Sequence, residues 1–186
     1  MDEINLDKYG LSYLKVKNPL TWTEAEMDKL ICAFAEENIA PLVLIPLNPK
    51  NVEILLSKSY CRRCGKCCQS NPEDPGVMVF EEELRTIAKH SKYSYKYLKR
   101  HSLKYENPER DDVRHLPLPC IFYDKAKCTI YPWRPIVCRL YPIKDSQPRN
   151  GKVYITISLR CDYGKDIYRN IFSYQKKKGQ SQLLGI

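Results

Sequence analysis

An α+β fold is predicted for this 186-residue chain from three features. Stretches with apolar residues at helical spacing, such as Met27, Leu30, Ile31 and Phe34, alternate with short apolar runs bounded by proline or glycine, such as Leu42–Ile45. Between them lies Cys61-Arg62-Arg63-Cys64-Gly65-Lys66-Cys67-Cys68, four thiols within eight positions. Together they predict a small metal-organised domain with several helices, short strands or hairpins and a cysteine-rich loop core.

Taken in order, residues Met1 to Pro19 have little periodicity and read as an irregular arm anchored by Tyr9, Leu11, Tyr13 and Leu14. Thr23 and Glu26 form a capping box that starts a helix running to about Asn38. Cys32 lies off its apolar stripe and reads as a spare, partly buried thiol. Leu42–Ile45 reads as a buried strand, and Asn48-Pro49 starts a short helix through Val52, Leu55 and Leu56. A boundary near Ser57 divides the chain into an N-terminal helical extension, 1–57, packed on a cysteine-cluster domain, 58–186.

Past the cluster, Asn71 to Gly76 is turn-rich, Val77–Phe80 a strand, and Glu81 to Glu83 the acidic start of a helix with Leu84, Ile87 and Ala88 inward. Ser94 caps another helix through Tyr97 and Leu98. Its tyrosines 93, 95 and 97, at spacing two, diverge and serve packing and surface roles rather than base stacking. Tyr105 to His115 reads as a polar loop. Leu118 to Tyr131 reads as a hairpin with Cys120 and Cys128 on its two arms, and Pro132, Pro135 and Pro142 make the next stretch turn-rich. Val153 to Leu159 alternates like a strand, and Tyr163 to Lys178 forms a closing helix with Ile167, Ile171 and Tyr174 inward.

No run of about 18 apolar residues is present, so no membrane span is expected. The start Met1-Asp2-Glu3-Ile4 does not resemble a secretory signal, which makes a cytoplasmic location the expectation. In a reducing compartment nine cysteines point to metal or redox chemistry rather than to disulfides. The formal charge is +9, which one four-thiolate site would lower to about +7. That excess leaves nucleic acid open as a partner, but part of it can compensate thiolates, since Arg62, Arg63, Lys66, Arg134 and Arg139 all stand near cysteines.

Cys61, Cys64 and Cys67 have the spacing C-x2-C-x2-C of a loop that presents thiolates to one cluster, and Cys64-Gly65-Lys66-Cys67 equally suits a zinc knuckle. Sulfur-only ligation disfavours magnesium and calcium and leaves zinc and iron-sulfur open. The adjacent side chains of Cys67 and Cys68 point apart and suit either two neighbouring sites or one site with supporting thiols. His90, His101 and His115 have no ligand spacing to the cysteines.

Cys61-x2-Cys64-Gly65-x-Cys67-Cys68, then Cys120, then Cys128-Thr129-Ile130-Tyr131-x2-Arg134-Pro135-x2-Cys138-Arg139-x2-Pro142 and a late Cys161 resemble the CxxCxxCC cysteine-cluster family, also called the YkgJ type. Its members are described as zinc- or iron-chelating. The resemblance implies a metal site built from Cys61, Cys64, Cys67, Cys68, Cys120, Cys128, Cys138 and Cys161. Arg134 and Arg139 fall on the family's IYxxRPxxCR pattern and read as donors to sulfur or counter-charges for thiolate. Some relatives of the family resemble flagellin lysine methylases that use S-adenosylmethionine. This chain has neither a GxGxG-like loop after a strand nor a C-x3-C-x2-C run, and no hydrolase triad or phosphate loop.

The leading expectation is therefore a metalloprotein with an iron-sulfur cluster, of the 4Fe-4S type, acting in electron transfer, metal or cluster delivery, or as an accessory subunit with a protein partner. The alternatives are a Zn2+ module for nucleic acid or protein, and a methylase-like enzyme.

Overall fold

The computed structural model describes residues 4–37, 39–45, 60–69, 76–105, 110–149 and 152–179. Within them the helices and strands follow in the order α1 (Glu24–Glu36), β1 (Leu42–Ile45), β2 (Val77–Phe80), α2 (Glu81–Lys89), α3 (Tyr95–His101), β3 (Leu103–Lys104), β4 (Val113–Leu116), β5 (Tyr123–Asp124), β6 (Lys127–Cys128), α4 (Ile136–Leu140), β7 (Ile143–Arg149), β8 (Lys152–Ile157) and α5 (Asp162–Lys177). Every strand pairing is antiparallel. This is an α+β fold, as the sequence predicts, and no helix among the described residues is long and apolar enough to cross a membrane. The expected helix after Asn48, most of the Asn71 to Gly76 turn and the boundary near Ser57 lie outside the described residues.

The chain divides into two compact units, Met1–Arg62 with Pro142–Ile186, and Arg63–Tyr141. In the first, α1 starts as its sequence dictates: Thr23 Oγ1 accepts the Glu26 N–H at 3.1 Å and Glu26 Oε2 accepts the Thr23 N–H at 2.7 Å. Met27, Leu30, Ile31 and Phe34 are buried and meet Ile167, Tyr168, Ile171 and Phe172 of α5, with the Trp22 and Phe172 rings stacked 6.2 Å apart. Leu11 and Leu14 anchor the arm, whereas Tyr13 is exposed. Gly164 lets α5 approach the end of β8, because a Cβ there would stand 2.0 Å from the Ser158 carbonyl oxygen.

The sheet of this unit has the order β1-β8-β7. The sequence reading places no strand at β7, whose residues Lys144 to Pro148 are polar or proline. Such a run is tolerated because β7 is an edge strand, where one side of the backbone needs no partner. Cys32 is exposed rather than partly buried, since the packed stripe of α1 turns it outward.

In the second unit the sheet has the order β2-β4-β3, and Val79, Leu84, Ile87, Leu98, Leu116, Phe122 and Ile130 form its apolar cluster. The end of the expected Tyr105 to His115 loop is in fact the central strand β4. Arg114 hides it: this buried residue reads as polar, yet its guanidinium donates to Ser102 Oγ at 2.6 Å and to the Lys99 and Ser102 carbonyls at 3.0 and 3.1 Å. Those carbonyls stand at the C-terminal end of α3, so a charged side chain joins the Ser102 hydroxyl, which donates to the Lys99 carbonyl at 3.1 Å, in capping the helix. The hairpin is present as β5-β6, turning through Lys125 and Ala126, both at positive φ. The expected turn-rich stretch instead contains the short helix α4, which follows Pro135 because a proline at a helix start forfeits no hydrogen bond.

Candidate metal centre

The expected ligands divide between the units. Cys61 and Cys161 belong to the first. Cys161 is buried and caps α5, its Sγ accepting the Gly164 N–H at 3.5 Å. Arg62, next to Cys61, pairs with Asp162 at 3.3 Å and Asp166 at 2.9 Å on the first turns of the same helix. Ion pairs thus bring the chain neighbours of Cys61 and Cys161 to one helix end.

The second unit holds Cys64, Cys67, Cys68, Cys120, Cys128 and Cys138. The cysteine loop reverses sharply, with Arg63 at φ 56 and Gly65 at φ 73 leading into a 3-10 turn, Lys66–Cys68, closed by the Cys68 N–H on the Gly65 carbonyl at 2.9 Å. Gly65 sits under the Tyr123 ring, so that a Cβ would lie 2.1 Å from Tyr123 Cε2. The loop is stitched to the hairpin by the Cys120 N–H donating to the Cys68 carbonyl at 2.9 Å and by Gln69 Nε2 donating to the Tyr123 hydroxyl at 3.1 Å. The Tyr123 N–H donates to the Cys120 carbonyl, and Tyr123 pairs with Cys128 across the hairpin. Cys138 arrives on α4.

These contacts place five half-buried thiols in one electrostatic neighbourhood. The Cys68 thiol, 3.9 Å from Cys67 Sγ, is pushed far above its ordinary range by that neighbour first, then by burial and the charges of Cys120 and Cys128. Burial is the main force raising Cys120, with Cys128 and Cys67 adding to it against the Phe122 N–H. Cys138 is pushed up to about 12 by burial and by Cys67, Cys120 and Cys128, against the Arg134 guanidinium. Cys64 is exposed at the rim of the loop. Among the described residues no two cysteines are joined in a disulfide, and no three His, Cys, Asp or Glu side chains close on a common point at ligand distance.

Arg134 reaches this neighbourhood through its backbone contacts, donating to the Tyr131 carbonyl at 3.0 Å and the Cys138 carbonyl at 3.4 Å. Its guanidinium lies 3.6 Å from the Tyr131 ring centroid and that of Arg63 4.1 Å from the same ring, so Tyr131 joins the cysteine loop to the segment that carries Cys138. The Arg139 head group is at Glu83 Oε1, 3.8 Å away. Glu83 is a site residue that sequence reasoning passes over: Oε2 accepts the Phe80 N–H at 3.1 Å at the start of α2, and Oε1 accepts the Ile136 N–H at 2.7 Å at the start of α4. Its position three residues into α2 signals the first bond, but nothing local signals the second. The histidines pack on rings: His90 on Trp133, His101 on Tyr97 and His115 on Tyr105.

The donor set fits a thiophilic metal. The sulfurs of Cys67, Cys68, Cys120, Cys128 and Cys138 favour zinc or iron over harder cations.

The model of the CxxCxxCC family, described as "Putative zinc- or iron-chelating domain", matches residues 60–162. The uncharacterized protein MJ0661 of Methanocaldococcus jannaschii is 31% identical over 102 residues, which are 54% of this chain and 52% of that protein. The chain thus spans about half the length of that curated relative. No solved structure matches this chain.

Proposed function

Because this chain belongs to the CxxCxxCC family of zinc- or iron-chelating domains, we propose that its second unit holds an iron-sulfur cluster and that the protein acts in electron transfer or in the delivery of metal or clusters. The observation that carries this reading is the shared neighbourhood of Cys67, Cys68, Cys120, Cys128 and Cys138. A structural zinc and a 4Fe-4S cluster both take four thiolates, and what favours the cluster is the C-x2-C-x2-C spacing of Cys61, Cys64 and Cys67. When bound, a cluster would supply a one-electron redox centre held by thiolates. Arg134, on the Cys138 carbonyl, adds positive charge that offsets the thiolates. Tyr131 and Glu83 hold the segments that bring the sulfurs together.

Anaerobic purification tests the proposal. A brown protein with broad visible absorbance bleached by dithionite, containing iron and acid-labile sulfide, supports it. A colourless protein with stoichiometric zinc replaces it with a structural zinc module. Cys120→Ser and Cys138→Ser are expected to lose most of the metal, whereas Cys32→Ser, on the exposed side of α1, keeps it.

A further inference from the structure

Between Leu84 and Tyr105 the chain carries seven lysines and arginines and no acidic residue. Three of these cations are engaged within the fold: Arg85 lies over the Tyr95 ring at 4.3 Å, Lys92 over the Tyr93 ring at 5.2 Å, and Lys99 pairs with Glu81 at 2.8 Å. Lys96, Arg100 and Lys104 are exposed and have no ion-pair partner among the described residues. Lys96 and Arg100, four apart, form a row along α3. Tyr97 and His101 form the adjoining row.

That second row is a ring stack rooted in the core. The buried Phe122 meets Tyr93 edge-on at 5.8 Å, Tyr93 stacks on Tyr97 at 4.8 Å, and Tyr97 stacks on His101 at 3.8 Å. Diverging tyrosines are the expectation at spacing two, but here the rings that meet are four apart. His101 Nδ1 lies 2.9 Å from the Tyr97 carbonyl oxygen, which can only accept, so Nδ1 carries the proton and the bond holds the imidazole parallel to its neighbour. The stack runs from a buried ring to an exposed one, and Leu103 and Lys104 of β3 and the adjoining Tyr105 are exposed as well.

We propose that this flank of α3 and the β3 edge bind single-stranded nucleic acid, with phosphates on the Lys96, Arg100 and Lys104 side chains and a base stacked on the His101 end of the ring ladder. A row of exposed cations alone would suit any polyanion. The pre-formed stack beside it adds a flat surface that a base can extend and a carboxylate cannot use. A duplex hides its base faces, which selects the single strand. The proposal is independent of the metal reading, and its contact residues Lys96, Arg100, His101 and Lys104 are not among those placed at the cysteines.

The test is fluorescence anisotropy on the full metal-loaded chain with oligo(U) and oligo(dT) of about 15 nucleotides, within the site sizes such proteins occupy. An abasic strand and a duplex of equal length, together with inorganic polyphosphate, serve as competitors. The expected result is preference for the base-bearing single strand and a salt slope of about −2 for three phosphate contacts. His101→Ala is expected to weaken binding about tenfold with the slope unchanged. Lys96→Ala/Arg100→Ala should reduce the slope by about 1.4 on every strand. Absence of binding, equal affinity for the abasic strand, duplex or polyphosphate, or an unaltered His101→Ala would overturn the proposal. The abasic comparison needs no variant, and metal content measured on the same samples reads out the cluster proposal separately.

Discussion

Gly65 is where backbone geometry and the candidate centre meet. Its φ of 73 and the Tyr123 ring above it leave no room for a side chain. Gly65→Ala combines a left-handed alanine with a clash, and is expected to destabilise the second unit by about 1–3 kcal/mol and to lower the metal-to-protein ratio. Urea unfolding and elemental analysis read the two effects. Glu26 offers a prediction in pH. The Lys17 ammonium, at 2.6 Å, and then the Thr23 N–H hold its carboxyl down to about 2. Since the folded value lies below the unfolded one of about 4.3, its stabilising contribution is complete above that unfolded value and is lost as pH falls toward 2. In Lys17→Met the Glu26 midpoint should rise toward the ordinary range, as carbon-detected NMR titration would follow. The Thr23 to Glu26 box was legible because both partners lie within one turn. Lys17, nine residues back, was not, because no local periodicity links it to the helix.

At the scale of elements, strongly patterned segments declared themselves. α1, α5, β2 and β8 follow apolar spacing, and the hairpin follows its alternation. β4 escaped because Arg114 is buried as a cap for α3, so a tertiary role wears the composition of a loop. β7 escaped because an edge strand tolerates Pro148 and polar neighbours. The candidate site shows the same division. Eight cysteines were readable from spacing and resemblance, while the contacts that gather five of them, through Tyr131, Tyr123 and Glu83, depend on residues far apart in sequence. Glu83 tests this. Glu83→Ala removes one acceptor from two helix starts and is expected to cost about 1–2 kcal/mol and to speed loss of metal to a chelator. Glu83→Gln, whose amide has one acceptor oxygen and a donor in place of the other, can keep only one of the two caps and is expected to fall between Glu83→Ala and the unsubstituted chain in both measurements.

At the scale of the molecule, the two units differ in how they can be stabilised. The first buries a broad cluster that includes Trp22, Phe34, Tyr168, Ile171 and Phe172, and truncation there, as in Ile171→Ala, should cost about 2–5 kcal/mol. The second, Arg63–Tyr141, gathers a smaller cluster around Leu84, Leu98 and Phe122, in a segment of about 80 residues, near the size below which one apolar core supplies little net stability without a metal or other staple. Metal binding should therefore contribute folding free energy there directly. Stripping metal anaerobically is expected to remove amide-exchange protection from β2, β4 and α2, while β8 and α5 keep theirs. Equal loss in β8 and α5 would mean that the chain unfolds as one cooperative body, and the unequal cores would then explain nothing about how metal supports this fold.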